Sequence, residues 1–220
     1  MYACTKVVNN GTASPSDKTY IYNFDLTGYP SPYSVIVVAS DKSSYLFNPP
    51  DTSYHLIASG TTNFYIESYN NATTLNSNTI TLTGHTYYTS LIYNQATGVP
   101  GISVIADDLS SPATGYCKLR TLYTILGNLP NTPAKISLVN EQTKDSIVNY
   151  NRTDIDFFRV QPLTNFTSIK AGTFSLYMDN VLAATGLPFN FSGKIFTVVI
   201  AKVPFSNGTT GYNIRYIANK

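Results

Sequence analysis

Helical spacing of apolar residues is hard to find in this chain, where apolar residues alternate with polar ones or form runs of four to seven. Gly, Pro, Asn and Asp residues separate these runs. In residues 19–25, for example, Tyr20, Tyr22 and Phe24 share one side of an extended chain, because successive side chains of a β-strand point to opposite faces. Alternation with frequent breaks is typical of short, half-buried strands. The sequence therefore predicts an all-β fold.

The strand pattern occurs twice along the 220 residues. Residues 82–92 align with residues 191–200 when Gly84 is set against Gly193, and each segment precedes the last strand of its half. Internal similarity of this kind indicates a repeated structural unit. The chain length of 220 residues agrees with two such units, since one domain typically takes about 100–150 residues.

The opening strands of the two halves place the boundary between them. Residues 4–9 align with residues 118–123, and a short stretch rich in Ser, Pro and Gly precedes the second of these segments. We therefore predict two tandem β-sandwich domains, residues 1–111 and 112–220.

The sequence argues against nucleic-acid binding and against a membrane-spanning helix. Charged residues make up only 12% of the chain, the net charge is +2, and no basic cluster occurs, so a nucleic-acid backbone has little to bind. The longest apolar stretches fall short of the 18 or more residues that a membrane-spanning helix needs. We expect neither nucleic-acid binding nor a transmembrane segment.

The start of the chain shows no export signal, although a mature exported protein would look the same. Few charges and many Tyr, Thr, Asn and Ser residues favour an extracytoplasmic location, at the cell surface or in the periplasm. Cys4 is a candidate lipid-carrying residue, but the residues after it indicate a strand, so we interpret it as a strand residue. We expect Cys4 and Cys117 to be free thiols, with a disulfide between them as the alternative.

Catalytic signatures are sparse. The chain has two histidines, His55 and His85, both interpreted as polar strand or turn residues. It has no Gly-x-Ser-x-Gly motif and no nucleotide-binding glycine motif. We therefore expect a protein that is not an enzyme and has no cofactor.

Two pairs of carboxylates are weak candidates for calcium. Asp107 and Asp108 are adjacent, and Asp154 and Asp156 lie on one side of a strand. Calcium takes six to eight oxygen ligands, more than either pair supplies. We favour a simpler explanation for each pair: for the first, a turn whose Asp side chains accept backbone hydrogen bonds, and for the second, a charged strand edge.

Aromatic residues provide the stronger candidate site. The chain has 18 Tyr and no Trp, and tyrosine offers an apolar face with a hydroxyl group suited to glycan stacking and protein interfaces. Neighbours on a strand point oppositely, so one of Tyr87 and Tyr88 should face outward, and so should one of Phe64 and Tyr65. We take Tyr65, Tyr87 and Tyr88 as candidate binding residues.

Several segments resemble domain-of-unknown-function family 4397, whose copies commonly occur in tandem. Residues 6–15 (KVVNNGTASP) and 19–22 (TYIY) resemble the family's opening, and residues 82–89 (LTGHTYYT) with 104–120 resemble the passage from one copy into the next. The second copy departs from this pattern, with Gly-Asn-Leu-Pro at 127–130 where Ala-Ser-Pro is expected.

The resemblance implies an exported, often lipid-anchored β-sandwich of immunoglobulin-like or transthyretin-like type, and no assigned activity. Our leading hypothesis is a non-enzymatic cell-envelope protein that serves binding or adhesion, with a glycan or a surface protein as partner. The alternatives are an exported carbohydrate-acting hydrolase accessory and a structural surface spacer. An aromatic patch at the surface would distinguish a binding protein from a spacer.

Overall fold

A computed structural model describes the chain in two compact units, Met1–Asp107 and Asp108–Lys220. The division falls four residues before the boundary expected from the sequence. The described residues are 17–25, 33–48, 53–68, 73–94, 99–125, 135–151, 166–189, 192–204 and 210–219. Within them there is no α-helix, and so none that could cross a membrane. The predicted all-β fold is confirmed.

The first unit contains eight described strands in two four-stranded sheets. The strands are β1 Lys18–Asp25, β2 Tyr33–Val38, β3 Ser44–Phe47, β4 His55–Ala58, β5 Gly60–Ser68, β6 Thr74–Leu82, β7 Tyr87–Asn94 and β8 Pro100–Asp107. One sheet has the order β4-β1-β7-β8 and the other β3-β2-β5-β6. All neighbours are antiparallel except β1 and β7, which run parallel.

The core of this unit lies between the two sheets. Every strand contributes apolar side chains on alternate positions, which is why the sequence alternates. The fully or almost fully buried members are Ile21, Val35, Val37, Ala39, Phe47, Ile57, Ala58, Phe64, Ile66, Leu82, Tyr88, Ile92 and Ile102. The first unit is therefore a β-sandwich.

The second unit repeats this design. Its strands are β9 Tyr116–Ile125, β10 Lys135–Asn140, β11 Ser146–Asn151, β12 Thr167–Lys170, β13 Gly172–Met178, β14 Val181–Phe189, β15 Ile195–Pro204 and β16 Thr210–Ala218. The sheets are β12-β9-β15-β16 and β11-β10-β13-β14, with β9 and β15 parallel. Each strand of the first unit thus corresponds to the strand eight places later, and the core again combines residues of both sheets.

This correspondence corrects the internal alignment made from the sequence. The counterpart of β9 is β1, and not residues 4–9, which lie outside the described part of the chain. The backbone N–H of His85 donates to the Lys18 carbonyl, and the N–H of Gly193 donates to the Tyr116 carbonyl in the same way. His85 is therefore the counterpart of Gly193, one residue from the alignment at Gly84. Both turn residues have positive φ, 59° and 83°, and local similarity of the flanking residues concealed this shift.

Candidate functional site

Tyr65 lies on the outer face of the sheet β3-β2-β5-β6. Its neighbours Phe64 and Ile66 are fully buried in the core, so the alternation of β5 turns Tyr65 away from the core. Ile36 of β2 and Ser77 of β6 flank it in register, and Leu46 of β3 lies beyond Ile36 in the same row. The expectation that one of Phe64 and Tyr65 faces outward is confirmed, and the outward residue is Tyr65.

The surroundings of Tyr65 combine apolar and hydrogen-bonding groups. Leu46 is 57% exposed, whereas Tyr65 and Ile36 are half-buried. Two residues away along β5, the Asn63 side-chain oxygen accepts a hydrogen bond from Thr79 Oγ1 at 2.7 Å. Glu67 lies two residues from Tyr65 in the other direction along β5. We call the surface formed by Ile36, Leu46, Asn63, Tyr65, Glu67, Ser77 and Thr79 the Tyr65 face.

The ring of Tyr65 is available at this surface. In the described part of the chain it stacks on no other aromatic ring, and its hydroxyl makes no hydrogen bond. A half-buried ring with no aromatic partner can offer apolar area to a ligand at a low entropic cost, because its body is already held by the sheet. The geometry suits stacking against a flat apolar surface, with hydroxyl and amide groups beside it.

Tyr87 lies on the outer face of the opposite sheet, and its ring is engaged within the unit. It stacks on Tyr20 with the ring centroids 4.4 Å apart and the planes 10° apart, and the edge of Tyr54 meets it at 5.1 Å. Tyr54 also contacts Tyr22 at 5.5 Å. The cluster ties β1, β7 and the residue before β4 together, so its contacts are explained by stabilisation of the sheet.

Asp107 anchors this cluster from the end of β8. Its Oδ2 accepts hydrogen bonds from the Tyr54 hydroxyl at 2.8 Å and from Thr89 Oγ1 at 2.7 Å, and the residue is 8% exposed. In the second unit Thr197 Oγ1 donates in the same way to Asn219 Oδ1 at 2.8 Å. The same hydrogen bond thus joins the last two strands of both sandwiches, which indicates a structural role for Asp107.

Tyr88 belongs to the core, and its selection as a binding residue needs correction. It is 8% exposed, and its hydroxyl oxygen accepts a hydrogen bond from the Thr83 backbone N–H at 3.0 Å. Of the adjacent pair Tyr87 and Tyr88, one faces outward as expected. The three candidate tyrosines do not form one site, because Tyr65 and Tyr87 lie on opposite sheets and Tyr88 lies between them.

Asp108 is paired with a cation. Lys118 Nζ donates to Asp108 Oδ2 at 2.7 Å and to Ser110 Oγ at 2.6 Å. The hydrogen bond from the Lys118 ammonium, with those from Ser110, holds the pKa of the Asp108 carboxyl at about 2. In the described residues, no three His, Cys, Asp or Glu side chains are grouped as a metal would require. Asp154 and Asp156 lie outside those residues.

We expect Asp108→Asn to lower the free energy of unfolding at pH 7 by about 1 kcal/mol, because the half-exposed pair is screened by solvent while the Lys118 ammonium is largely buried. The folded pKa of about 2 lies below the unfolded value of about 3.9, so the pair stabilises above that value. This contribution is lost as the pH falls from about 5 through 2. Urea denaturation of both proteins at pH 7 and pH 2.5 measures the difference.

Asp145→Asn is the matched control for this prediction, since Asp145 is exposed and on the same unit. It should leave the stability unchanged at both pH values. A stability difference for Asp108→Asn that is the same at pH 7 and pH 2.5 would show that the ion pair is not its source.

The two histidines and Cys117 occupy structural positions in the fold. His55 packs against Phe47 with the ring centroids 4.6 Å apart, and His85 is an exposed turn residue. Cys117 is a free, fully buried thiol, and burial raises its pKa to about 11. The expectation that Cys117 is unpaired is confirmed, while Cys4 lies outside the described residues.

Sequence reasoning missed Leu46 and Ile36. Both are aliphatic residues at outward strand positions, and in the sequence they cannot be distinguished from core residues. The register of β2, β3 and β5 brings them beside Tyr65, and that register joins residues distant in the chain.

Comparison with known proteins matches part of the chain to a family model. No curated protein matches the chain. The model of a family described as a domain of unknown function, DUF4397, matches residues 33–124. The match runs from β2 of the first sandwich into β9 of the second, and so spans one complete set of eight successive strands. Over these residues the chain shows the DUF4397 pattern, which confirms the family resemblance drawn from its sequence.

Proposed function

We propose that the protein is a non-enzymatic binding protein of the cell envelope, which recognises a glycan or a surface protein through the Tyr65 face of its first sandwich. The observation that carries this proposal is the ring of Tyr65, which the sheet holds and which stacks on no other ring of the described residues. Leu46, 57% exposed, extends the apolar area beside it. Asn63, Ser77 and Thr79 supply hydrogen-bonding groups around that area.

The Tyr87 cluster is the weaker candidate. Its ring faces pack against each other, and its one carboxylate, Asp107, accepts two hydrogen bonds within the unit. A ligand there would have to displace contacts that hold the sheet together. The Tyr65 face requires no such rearrangement.

The location follows from composition and resemblance. A surface with few charges and many Tyr, Thr, Asn and Ser residues suits an exported protein at the cell surface or in the periplasm. The family resemblance favours attachment through a lipid anchor. The proposed function needs no cofactor.

Binding to an array of immobilised glycans and to surface-protein extracts tests the proposal. We expect wild-type protein to bind one ligand class and Tyr65→Ala to reduce the affinity at least tenfold, because the variant removes the apolar surface at the centre of the face. Tyr65→Phe should retain most of the affinity if stacking dominates. Circular dichroism and a thermal melt verify that each variant is folded.

Tyr116→Ala provides the matched control, since Tyr116 is 42% exposed and lies on a different sheet. It should bind like the wild type. Equal binding by wild type and Tyr65→Ala would contradict a role for the Tyr65 face, and absence of binding to every glycan and protein tested would favour a structural spacer.

A further inference from the structure

The second sandwich repeats the Tyr65 position. We infer that Tyr177 forms the centre of a second, equivalent site, so that each chain binds two neutral oligosaccharide segments. This inference rests on the proposed function and extends it to the second unit and to one ligand class.

Strand register establishes the equivalence. Gly60 begins β5 and Gly172 begins β13, and Tyr65 and Tyr177 each follow five residues later. Tyr65 is in register with Ile36 of β2, and Tyr177 is in register with Ser137 of β10. Ile36 and Ser137 are themselves equivalent, because each lies three residues before the first residue of the following turn.

The other outward aromatic positions differ between the two sandwiches. The backbone N–H of Tyr20 donates to the Thr86 carbonyl as that of Lys118 donates to the Lys194 carbonyl, so Lys118 replaces Tyr20. By the same register, three further aromatic positions of the first unit hold other residues in the second unit: Tyr22 corresponds to Arg120, Tyr54 to Phe166 and Tyr87 to Ile195. The Tyr87 cluster is therefore absent from the second unit, whereas the outward tyrosine of the other sheet is identical in both. A general preference for tyrosine on strands does not account for this selective identity.

The burial of Tyr177 repeats that of Tyr65, although the residues beside it differ. Tyr177 is half-buried, and within the described residues its ring has no aromatic partner. An exposed leucine lies beside each tyrosine from a different strand: Leu182 of β14, 50% exposed, is directly opposite Tyr177, and Leu46 of β3, 57% exposed, lies beyond Ile36 in the row of Tyr65. The strand pairing shifts register near the tyrosine in each unit, after it between Ile66 and Glu67 in the first, and before it between Phe174 and Leu176 and between Leu176 and Tyr177 in the second. Bulges redirect neighbouring side chains and occur often beside functional sites.

The charged residues around Tyr65 and Tyr177 indicate which class of ligand the two faces would bind. The outward strand positions around Tyr65 carry one carboxylate, Glu67, and no Lys or Arg. Near Tyr177, Glu141 accepts hydrogen bonds from Ser175 Oγ at 2.8 Å and from the Gly186 N–H at 2.9 Å, and Lys135 Nζ donates to Asn180 at 3.4 Å. Within the described ranges, neither face presents the excess of cations that a polyanionic glycan or an acidic protein surface would need.

Size favours a sugar over a protein. A stable protein interface buries about 800 Å² on each partner around several large apolar anchors. Each face here offers one tyrosine ring and one exposed leucine within a rim of hydroxyl and amide groups. A single ring with hydroxyl and amide groups beside it suits a sugar, whose apolar face stacks on an aromatic side chain and whose hydroxyls form hydrogen bonds with the surrounding polar groups.

Titration calorimetry of the full chain with maltohexaose, cellohexaose, xylohexaose and mannohexaose counts the sites. We expect two bound hexasaccharides per wild-type chain for at least one of these sugars. Tyr65→Ala and Tyr177→Ala should each reduce the number to one, and the double variant should bind none. Tyr116→Ala should retain two, and circular dichroism verifies the fold of every variant.

The outcomes separate the inference from the proposed function. One site in the wild type, abolished by Tyr65→Ala and unaffected by Tyr177→Ala, would overturn the second site and leave the proposed function intact. Binding to a protein partner with no binding to the four sugars would overturn the ligand class alone. No binding in any of these experiments would overturn both.

Discussion

Replacing Phe174 by Ala should lower the free energy of unfolding of the second sandwich by about 3–5 kcal/mol, the largest effect expected of any substitution considered for this protein. Phe174 is fully buried, and its ring meets that of Phe189 edge-on at 5.2 Å. Removal of the ring therefore eliminates apolar contacts within the core cluster and leaves a cavity. Hydrogen exchange measured by mass spectrometry, together with urea denaturation, locates and quantifies the loss.

The loss should be confined to one unit. The two core clusters share no residue, and every member of the cluster around Phe174 belongs to Asp108–Lys220. Peptides from β9, β10 and β13 should therefore exchange faster, and those from β1, β2 and β5 should not. Phe64→Ala, at a fully buried site of the first unit, should produce the reverse pattern, and Leu46→Ala should change stability by less than about 0.5 kcal/mol. Faster exchange in both units after either core substitution would contradict two separate cores.

Gly60→Ala should cost about 2–4 kcal/mol of stability in the first sandwich, through two effects that add. Gly60 has φ of +106°, where side-chain-bearing residues are strained. A Cβ there would also lie 2.9 Å from Ser40 Cβ, which cannot move far because the Ser40 hydroxyl donates to the Ser59 carbonyl. Urea denaturation of the purified variant measures the change.

Gly193→Ala separates the two effects. Gly193 also has positive φ, +83°, but a Cβ added there would meet no atom within 4 Å. The equivalent turn position of the first unit is occupied by His85 at φ 59°, so a side chain is compatible with this turn. We expect a cost of about 1 kcal/mol or less. Equal destabilisation by Gly60→Ala and Gly193→Ala would show that the contact with Ser40 adds nothing to the backbone strain.

The candidate site shows where sequence reasoning was sufficient and where it was not. Alternation on β5 required one of Phe64 and Tyr65 to point outward, and the structure shows that it is Tyr65, because Phe64 is fully buried in the core. The same rule left Tyr87 and Tyr88 undecided. Whether the ring of Tyr87 is available depends on Tyr20 of β1, which a parallel pairing with a strand distant in sequence brings to 4.4 Å.

Tyr177 was overlooked for a related reason. Its importance comes from its equivalence to Tyr65, and the internal alignment that would reveal it was made on residues 4–9 and Gly84. Strand pairing and turn hydrogen bonds define the true equivalence, and these connect β1 with β7 and β9 with β15. The equivalent turn position is His85 in one copy and Gly193 in the other. Because the two residues differ, comparing the sequences does not reveal the correct alignment of the copies.

The sequence by itself determined the all-β class, the duplication and the outward position of one residue of the pair Phe64 and Tyr65, because strand alternation is a local property with a period of two residues. Only the tertiary structure decided which outward rings are engaged and which remain available. It also placed Leu46 beside Tyr65, assigned Asp107 and Asp108 to separate hydrogen-bonding partners, and revealed Tyr177 as the counterpart of Tyr65. These features depend on register between strands far apart in the chain, and no local pattern of residues encodes that register.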